Sequence, residues 1–214
     1  MNINKFLVKA KEADIDVSEI KISKTTSSSI SIFRGEIDSN EFSSTSSLTA
    51  RGIYKGKLGA VSSENLNDSS IDSLIKDIKT NATLIEKEEE PIIYQGSKDY
   101  KKKNTFNKQL SELTTSSVLP LLYEIERKTK EKDSRVSDVQ VSFQIQEEEF
   151  VFANSYGLNL KTHSNYFVLV GEVYMKEGEI TKDNYTIKFG NKFEINVDEF
   201  VDELGREFIG ERHR

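Results

Sequence analysis

The feature that most constrains the fold of this chain is a pattern that occurs twice at a fixed offset. Residues Val17–Ser23 read VSEIKIS and residues Val136–Ser142 read VSDVQVS, so the second copy follows the first by 136 − 17 = 119 residues. At the same offset Gly52 corresponds to Gly171. A period this long is not typical of a solenoid of short repeats. It predicts the duplication of a whole helix-strand-strand-strand-helix module.

The composition predicts a globular protein and excludes several kinds of site. The 214 residues are 36% hydrophobic and 31% charged, and a chain of this length buries roughly 70 to 75% of its unfolded surface. There is no cysteine, which excludes disulfides, thiolate metal sites and cysteine nucleophiles. With 30 basic and 36 acidic side chains the net charge is −6, so no broad positive surface attracts a phosphate backbone. Nucleic acid is therefore an unlikely partner.

Targeting and membrane segments are not evident in the sequence. The apolar run Phe6-Leu7-Val8 is too short for the hydrophobic region of a signal peptide, and no run approaches the length of a membrane span. These observations predict a cytoplasmic protein that does not use a membrane as partner.

The first module is predicted from hydrophobic spacing and turn residues. Helical spacing covers Ile3 to Ala13, strand alternation follows at Ile20, Ile22, Ile30 and Ile32, and a Ser/Thr-rich strand or loop runs from Asp38 to Thr49. Turns are predicted at Arg34-Gly35-Glu36 and at Tyr54-Lys55-Gly56-Lys57. A helix follows from Ser70, with Asp68, Ser69 and Ser70 as candidate caps.

The second module shows the same order of patterns. A helix is predicted around Val118 to Ile125, capped by Ser116 or Ser117 and with Pro120 in its first turn. Strand alternation follows from Val139, a charged turn at Glu147 to Glu149, a turn at Asn154-Ser155-Tyr156-Gly157, and a central strand at Tyr166 to Val170. A last helix is predicted after Asn196, which has Glu199 at capping-box spacing.

These patterns together predict an α+β fold with two modules. We expect a first α+β module at 1–95, a linker at 96–108 and a second α+β module at 109–214. Each module carries antiparallel or mixed strands with helices packed on the sheet.

Histidines and glycines are the first candidates for chemistry. His163 and His213 are fifty residues apart and lack the spacing that places two imidazoles on one helical face for zinc, so we interpret them as a strand residue and a terminal residue. Gly52, Gly56 and Gly59 match neither phosphate-binding glycine motif, and hairpin geometry explains them better.

Charged runs are the second set of candidates. Lys101-Lys102-Lys103, with Lys98 and Lys108, could contact an anion, but a solvated linker beside Glu86 and Glu88 to Glu90 is the more usual reading. Glu147 to Glu149 are interpreted as a solvated turn rather than as paired catalytic carboxylates. No serine lies in a nucleophile elbow or an S-x-x-K element. We therefore predict no catalytic, cofactor-binding or metal-binding residue.

Several short motifs in order resemble those of the TldD/PmbA family. The clearest is Asp133-Ser134-Arg135-Val136 followed by Ala153-Asn154-Ser155-Tyr156-Gly157, which resembles the family's D-x-R-V … ANS-x-G signature. In the first module, Gly35-Glu36-Ile37 resembles an early G-x-I/V turn. Arg51-Gly52-Ile53-Tyr54 with Gly59-Ala60-Val61-Ser62-Ser63 is similar to a G-V-R-V … G-x-A-x-T hairpin. The resemblance covers nearly the whole chain.

The resemblance implies a function that the residues alone do not. Proteins of this family are described as modulators of DNA gyrase and as zinc-dependent peptidases, in which a zinc-bearing TldD-type subunit pairs with a metal-free PmbA (TldE)-type subunit. Their zinc motif, His-Glu-x3-His, is absent from this sequence, so the resemblance implies no metal, cofactor or catalytic residue here. Leu204-Gly205-Arg206-Glu207 is similar to the approach to the second domain in the PmbA-type branch.

Two functions remain open at this point. The first is the N-terminal, non-catalytic region of a TldD/PmbA-family protein, which pairs with a TldD/PmbA-type subunit as a homo- or hetero-oligomer and encloses unfolded peptide substrates. The second is a self-contained protein-protein interaction module with no link to proteolysis.

Overall fold

The chain folds into five helices and six strands within the residues that the structure describes. A computed structural model describes residues 1–86, 91–101 and 103–209, and for residues 207–209 it describes the backbone alone. The helices are α1 (Ile3–Glu12), α2 (Ile71–Thr83), α3 (Lys108–Ser111), α4 (Thr115–Lys132) and α5 (Val197–Ile209). The strands are β1 (Val17–Phe33), β2 (Glu36–Tyr54), β3 (Lys57–Ser63), β4 (Val136–Asn154), β5 (Asn159–Glu177) and β6 (Ile180–Gly190).

All six strands belong to one sheet in the order β3-β2-β1-β4-β5-β6. β2 pairs antiparallel with β3, and β5 pairs antiparallel with β6. β1 and β4 also run antiparallel, because Ser18 bonds to Ser155 while Ser27 bonds to Gln144. The predicted α+β class, with helices on a sheet, is confirmed. The run predicted to be the central strand lies in β5, which is flanked on both sides, but β1 and β4 form the middle pair.

The chain forms two compact units, and each long strand contributes to both. Unit 1 comprises Met1–Thr25, Ser44–Asn104 and Glu148–His163, and unit 2 comprises Thr26–Ser43, Thr105–Glu147 and Ser164–Arg214. The β1–β2 hairpin tip thus belongs to the same unit as α4, and the β4–β5 tip to the same unit as α1 and α2. The two units are defined by contacts in space, whereas the modules 1–95 and 109–214 were predicted from a duplication in the sequence. The units therefore do not test the modules, which stay a prediction.

Unit 1 has a core in which two helices cover one face of the strands. Its buried members come from α1, α2 and the strand ends, and are Phe6, Ala10, Ile15, Ile20, Leu48, Ala50, Ile71, Leu74, Ile75, Ile78 and Ala153. α2 packs on β3 and α1 packs on α2. The α2 stripe recurs every three or four residues, so a single helical face enters the core.

Unit 2 has the larger core, built around aromatic rings. Phe143, Phe167 and Phe193 lie within 5.1 to 6.0 Å of one another between ring centroids. Val139, Val141 and Phe143 are buried and alternate along β4, which places them on one face of the strand. α4 packs on α5, and α5 packs on β6. Phe200, Val201 and Leu204 form the buried stripe of α5.

The turn predictions are confirmed where glycine adopts a left-handed conformation. Gly35, Gly56 and Gly157 have φ values of +77°, +74° and +96° at the three predicted turns. A Cβ atom strains the backbone at such angles, and glycine lacks it.

Three local predictions in the second module and one in the first are wrong. Glu147 to Glu149 do not form a turn, because β4 continues through them to Asn154. α4 is capped by Thr114, whose side chain accepts from the Ser117 backbone, and Pro120 lies beyond the first turn. At α2, Ser70 does not cap through its side chain, since its hydroxyl donates to the carbonyls of Asn65 and Asn67 instead.

The structure also bears on the membrane question. Among the residues that the structure describes, none of the helices combines the length and the apolar character that crossing a membrane requires.

Candidate functional site

The D-x-R-V signature forms an ion pair at the end of α4. The Asp133 carboxylate accepts from the Arg135 backbone N–H at 2.9 Å and from its guanidinium at 2.8 and 3.1 Å. This pairing raises the pKa of Arg135, because hydrogen bonds and charge from Asp133 stabilise the cation. The Arg135 carbonyl accepts from the backbone N–H of Lys176 at 2.8 Å. The signature therefore joins α4 to the start of β4 and the end of β5.

The ANS-x-G signature is organised by one buried amide. Asn154 is 2% exposed, and its Oδ1 accepts from the backbone N–H groups of Tyr156 at 3.0 Å and Leu158 at 3.1 Å. Its Nδ2 donates to the Tyr94 carbonyl at 2.6 Å, which ties the segment before the second module to the β4–β5 turn. Asn154 satisfies backbone groups that would otherwise be buried without partners, so its role here is structural.

The Arg51 of the first-module motif also has a structural partner. Its Nε donates to Oε1 of Glu19 at 2.6 Å, and its Nη2 contacts the same oxygen. The Glu19 side chain is 6% exposed, whereas that of Arg51 is 39% exposed. The second carboxylate oxygen of Glu19, Oε2, is buried and lacks a hydrogen-bond partner within the described ranges.

The candidate ionic residues lie on exposed strand and linker positions. His163 is exposed on β5, Glu148 and Glu149 are exposed on β4, and Lys101 and Lys103 are exposed in the segment between the modules. Lys102, His213 and Glu88 to Glu90 fall outside the described residues. Their exposure gives these side chains access to solvent.

Of Gly52, Gly56 and Gly59, only Gly56 is explained by hairpin geometry. Gly56 lies in the β2–β3 turn with a positive φ. Gly59 instead lies under α2, because a Cβ atom there would be 1.9 Å from the Ile78 carbonyl oxygen. Gly52 faces the side chains of Ile15 and Ile78 at 2.6 and 3.1 Å from the position of a Cβ. The last two glycines permit close packing of helix on strand.

The edge strand β6 presents an apolar surface that the sequence analysis did not single out. Tyr185, Ile187 and Phe189 are 65%, 47% and 79% exposed and alternate along the strand, so they share one face. We call these three residues the β6 apolar row. Asp183 is exposed at the next alternate position. The alternation of apolar residues was visible in the sequence, but alternation alone does not show which face the helices cover.

The opposite face of β6 is polar and bonded to α5. Asn184 donates to the Leu204 carbonyl at 2.9 Å, and Lys188 donates to Glu203 at 3.0 Å. The hydrogen bond and charge of Lys188 lower the pKa of Glu203 by stabilising its anion. The polar face of β6 therefore contacts α5, and the β6 apolar row lies on the opposite face.

Two family profiles match the sequence along most of its length. The profile described as PmbA/TldA metallopeptidase domain 1 matches residues 18–82, and the one described as PmbA/TldA metallopeptidase central domain matches residues 108–211. The chain belongs to the PmbA/TldD family. No curated protein sequence matches it significantly.

Three solved structures share the fold of this chain. A candidate modulator of DNA gyrase from Bacteroides thetaiotaomicron has 15% identity and a TM-score of 0.84, covering 96% of this chain and 48% of its own. A second candidate modulator, from Thermotoga maritima, has 15% identity and a TM-score of 0.83, covering 96% and 46%. TldE from Thermococcus kodakarensis has 17% identity and a TM-score of 0.81, covering 95% and 46%. The chain therefore spans about half the length of these proteins.

The zinc motif that the metallopeptidase family implies, His-Glu-x3-His, does not occur in this sequence. Zinc in such sites is held by imidazole and carboxylate groups at helical spacing. This sequence has only two histidines, and His163 is on an exposed strand rather than on a helix. The motif residues of PmbA/TldD-type sequences that this chain does contain, Asp133, Arg135 and Asn154, are engaged in backbone and ion-pair contacts.

Proposed function

We propose that this chain acts as the N-terminal, non-catalytic region of a PmbA/TldD-family protein, which supports subunit pairing and encloses unfolded peptide substrates. The observation that carries the proposal is the match to domain 1 and the central domain of this family, in that order. The signature residues support a scaffold role because they hold elements together. Asp133 joins α4 to β4, and Asn154 organises the β4–β5 turn.

The proposal extends to the partner and the compartment. The partner is a second PmbA/TldD-type subunit, and the metal-free PmbA (TldE) branch is favoured by Leu204-Gly205-Arg206-Glu207 and by the fold likeness to a TldE. Zinc belongs to the metal-bearing subunit in this arrangement. The protein works in the cytoplasm, in keeping with the lack of cysteine.

An ancestral duplication is part of the same proposal. Gly52 and Gly171, which are equivalent in the repeat, both lie on strands directly beneath a helix. A Cβ on Gly52 would meet Ile15 and Ile78, and one on Gly171 would meet Phe200 and Leu204. The same small residue serves the same packing need in both copies, which supports a common origin. Superposition of residues 1–95 on residues 109–214 tests it.

Peptide cleavage and subunit pairing test the proposed role. The purified chain is incubated with unfolded peptides and zinc, alone and with a TldD-type subunit, and the complex is followed by sedimentation. We expect no cleavage by the chain alone, and a stable complex with the zinc-bearing subunit. Chelator-sensitive turnover by the isolated chain would contradict the non-catalytic role, and failure to form a complex would contradict the pairing.

The second candidate function is a self-contained interaction module. The exposed β6 apolar row favours it, because exposed aromatic residues are enriched in protein interfaces. The length of the native protein in its cells distinguishes the two. A product that ends at Arg214 favours the interaction module, and a product about twice as long favours the family role.

A further inference from the structure

We propose that the outer edge of β6 binds an extended peptide that carries a basic residue followed by apolar residues at every second position. This inference rests on the proposed function, since it names where and how the unfolded peptide binds. The backbone of the peptide forms hydrogen bonds with the backbone of β6. The side chains of β6 determine which peptide sequences bind.

The backbone of β6 is available on one side. Its inner side pairs with β5 from Ile180 to Gly190, and within the described part of the chain no strand pairs with its outer side. An edge strand presents unpaired N–H and C=O groups, and another extended backbone satisfies them as an added strand. An extended peptide is the occupant that satisfies these groups along the whole strand.

The other edge of the sheet differs in a way that supports this assignment. β3 has only seven residues, and the side chain of Asn81 on α2 donates to the Ala60 carbonyl at 2.7 Å. α2 also lies so close that Gly59 has no room for a side chain. Short length and coverage are the usual protections of an edge. β6 is eleven residues long and carries exposed apolar side chains.

The side chains of β6 define which peptide fits. Residues directly opposite each other on paired strands share a face, so alternate residues of the added strand lie beside Tyr185, Ile187 and Phe189. The half-buried Val168 and Val170 of β5 pair with Phe189 and Ile187 and widen the same apolar surface. A peptide with apolar residues at every second position would place those residues against this apolar surface.

Charge sets the remaining position. Asp183 is exposed and continues the β6 apolar row at the same spacing, opposite Tyr174 of β5. The pKa of the nearby Tyr174 hydroxyl is raised by its hydrogen bond to Glu172 and by the charge of Glu172, with a smaller contribution from Asp183. A carboxylate at the end of an apolar row is complementary to a lysine or arginine. The preferred peptide is thus basic at one end.

The test measures binding of labelled peptides to the full chain by fluorescence anisotropy. The probe is acetyl-Lys-Thr-Val-Thr-Phe-Thr-Val-amide, and matched probes replace Lys by Glu, reverse the sequence, or methylate alternate backbone nitrogens. We expect the Lys probe or its reversed form to bind, the Glu probe to bind about tenfold more weakly, and the methylated probe not to bind. Equal binding of the methylated probe would overturn the proposal.

Variants locate the site on β6. Ile187→Ser combined with Phe189→Ser should weaken binding about tenfold, whereas Phe42→Ser, an equally exposed aromatic on β2, should not change it. Asp183→Lys leaves the apolar row intact and should reverse the preference between the Lys and Glu probes. Binding that is unaffected by these variants would overturn the assignment. It would also be overturned if the chain formed a dimer through β6 that the double variant dissociated and the peptide did not.

The outcome separates this inference from the proposed function. Peptide binding at β6 without any complex with a TldD-type subunit removes the proposed function and leaves the inference. A complex that forms and handles peptides equally well with Ile187→Ser and Phe189→Ser removes the inference alone.

Discussion

The carboxylate of Glu126 accepts two hydrogen bonds from the backbone N–H of Gly35, at 2.9 Å to Oε1 and 3.1 Å to Oε2. Glu126 lies on α4 and Gly35 in the β1–β2 turn, 91 positions apart in the chain. The glutamate is 4% exposed, and Lys130, one turn later on α4, donates to its Oε1 at 2.5 Å. A buried charge is tolerated when it is paired and hydrogen-bonded, so this contact holds the hairpin tip against the helix.

Removing the Glu126 carboxylate should destabilise the protein. Glu126→Ala leaves the Gly35 N–H without its acceptor, and we expect a loss of about 1 to 3 kcal/mol in the free energy of unfolding. Glu126→Gln keeps an acceptor and should cost less. Urea denaturation measures both. Glu131→Gln, at an exposed position on the same helix, is the control, and equal effects of Glu126→Ala and Glu131→Gln would contradict the anchoring role.

The close approach of α2 to β3 predicts that Gly59 does not tolerate a side chain. In Gly59→Ala the new Cβ would lie 1.9 Å from the Ile78 carbonyl oxygen, so the helix must shift. Overpacking of this kind costs about 1 to 3 kcal/mol or more. Gly190→Ala is the matched control, because its Cβ would meet only the Phe167 ring at 3.7 Å. Thermal melts in which the two variants are equally stable would disprove the packing constraint.

Replacing Pro120 should stabilise the protein. Pro120 is exposed and lies inside α4, where proline cannot donate the hydrogen bond to the carbonyl of Ser116 four residues earlier. Pro120→Ala restores this donor, and we expect a gain of about 1 kcal/mol, since the loss of proline rigidity in the unfolded chain offsets part of the benefit. Pro91→Ala lies outside any helix and serves as the control. A lower melting temperature for Pro120→Ala would contradict this reading of the helix.

The pair of Arg34 and Asp138 predicts a pH dependence of stability. Arg34 donates to the Asp138 carboxylate at 2.6 and 3.1 Å, which lowers the pKa of Asp138 through hydrogen bonding and charge. A lowered folded pKa means that the pair stabilises the fold above the unfolded pKa, about 3.9, and that this contribution disappears as the pH falls through the folded pKa.

Melting curves of the wild type and Asp138→Asn between pH 7 and pH 2 check this dependence. We expect the variant to be less stable at neutral pH and the difference to fade in acid. A difference that stays constant over the whole range would show that the carboxylate acts by shape rather than by charge.

Local patterns predicted much of the fold because their physical causes are local. The turns at Gly35, Gly56 and Gly157 follow from backbone angles that only glycine adopts without strain. The stripe from Ile71 to Ala82 predicted α2, because the spacing of apolar residues is set by the helix itself. The Asn196 cap is confirmed by a hydrogen bond from the Glu199 backbone at 3.3 Å.

Predictions that depended on partners far along the chain were incomplete or wrong. The charged run Glu147 to Glu149 predicted a turn, but β4 continues through it because each residue has a neighbouring strand to pair with. Gly59 looked like a hairpin glycine until the position of α2 was known. The β6 apolar row could not be assigned to an exposed face, since its exposure depends on which side α5 covers.

The sequence by itself determined the helix and strand periods, the glycine turns and the family, because each of these is recorded in residues close together or in ordered motifs. Only the tertiary structure decided that Glu126 holds Gly35, that Asn154 binds the Tyr94 carbonyl, and that Tyr185, Ile187 and Phe189 face outward. Burial and hydrogen bonding between distant segments depend on the path of the whole chain, and local sequence patterns contain no measure of that path.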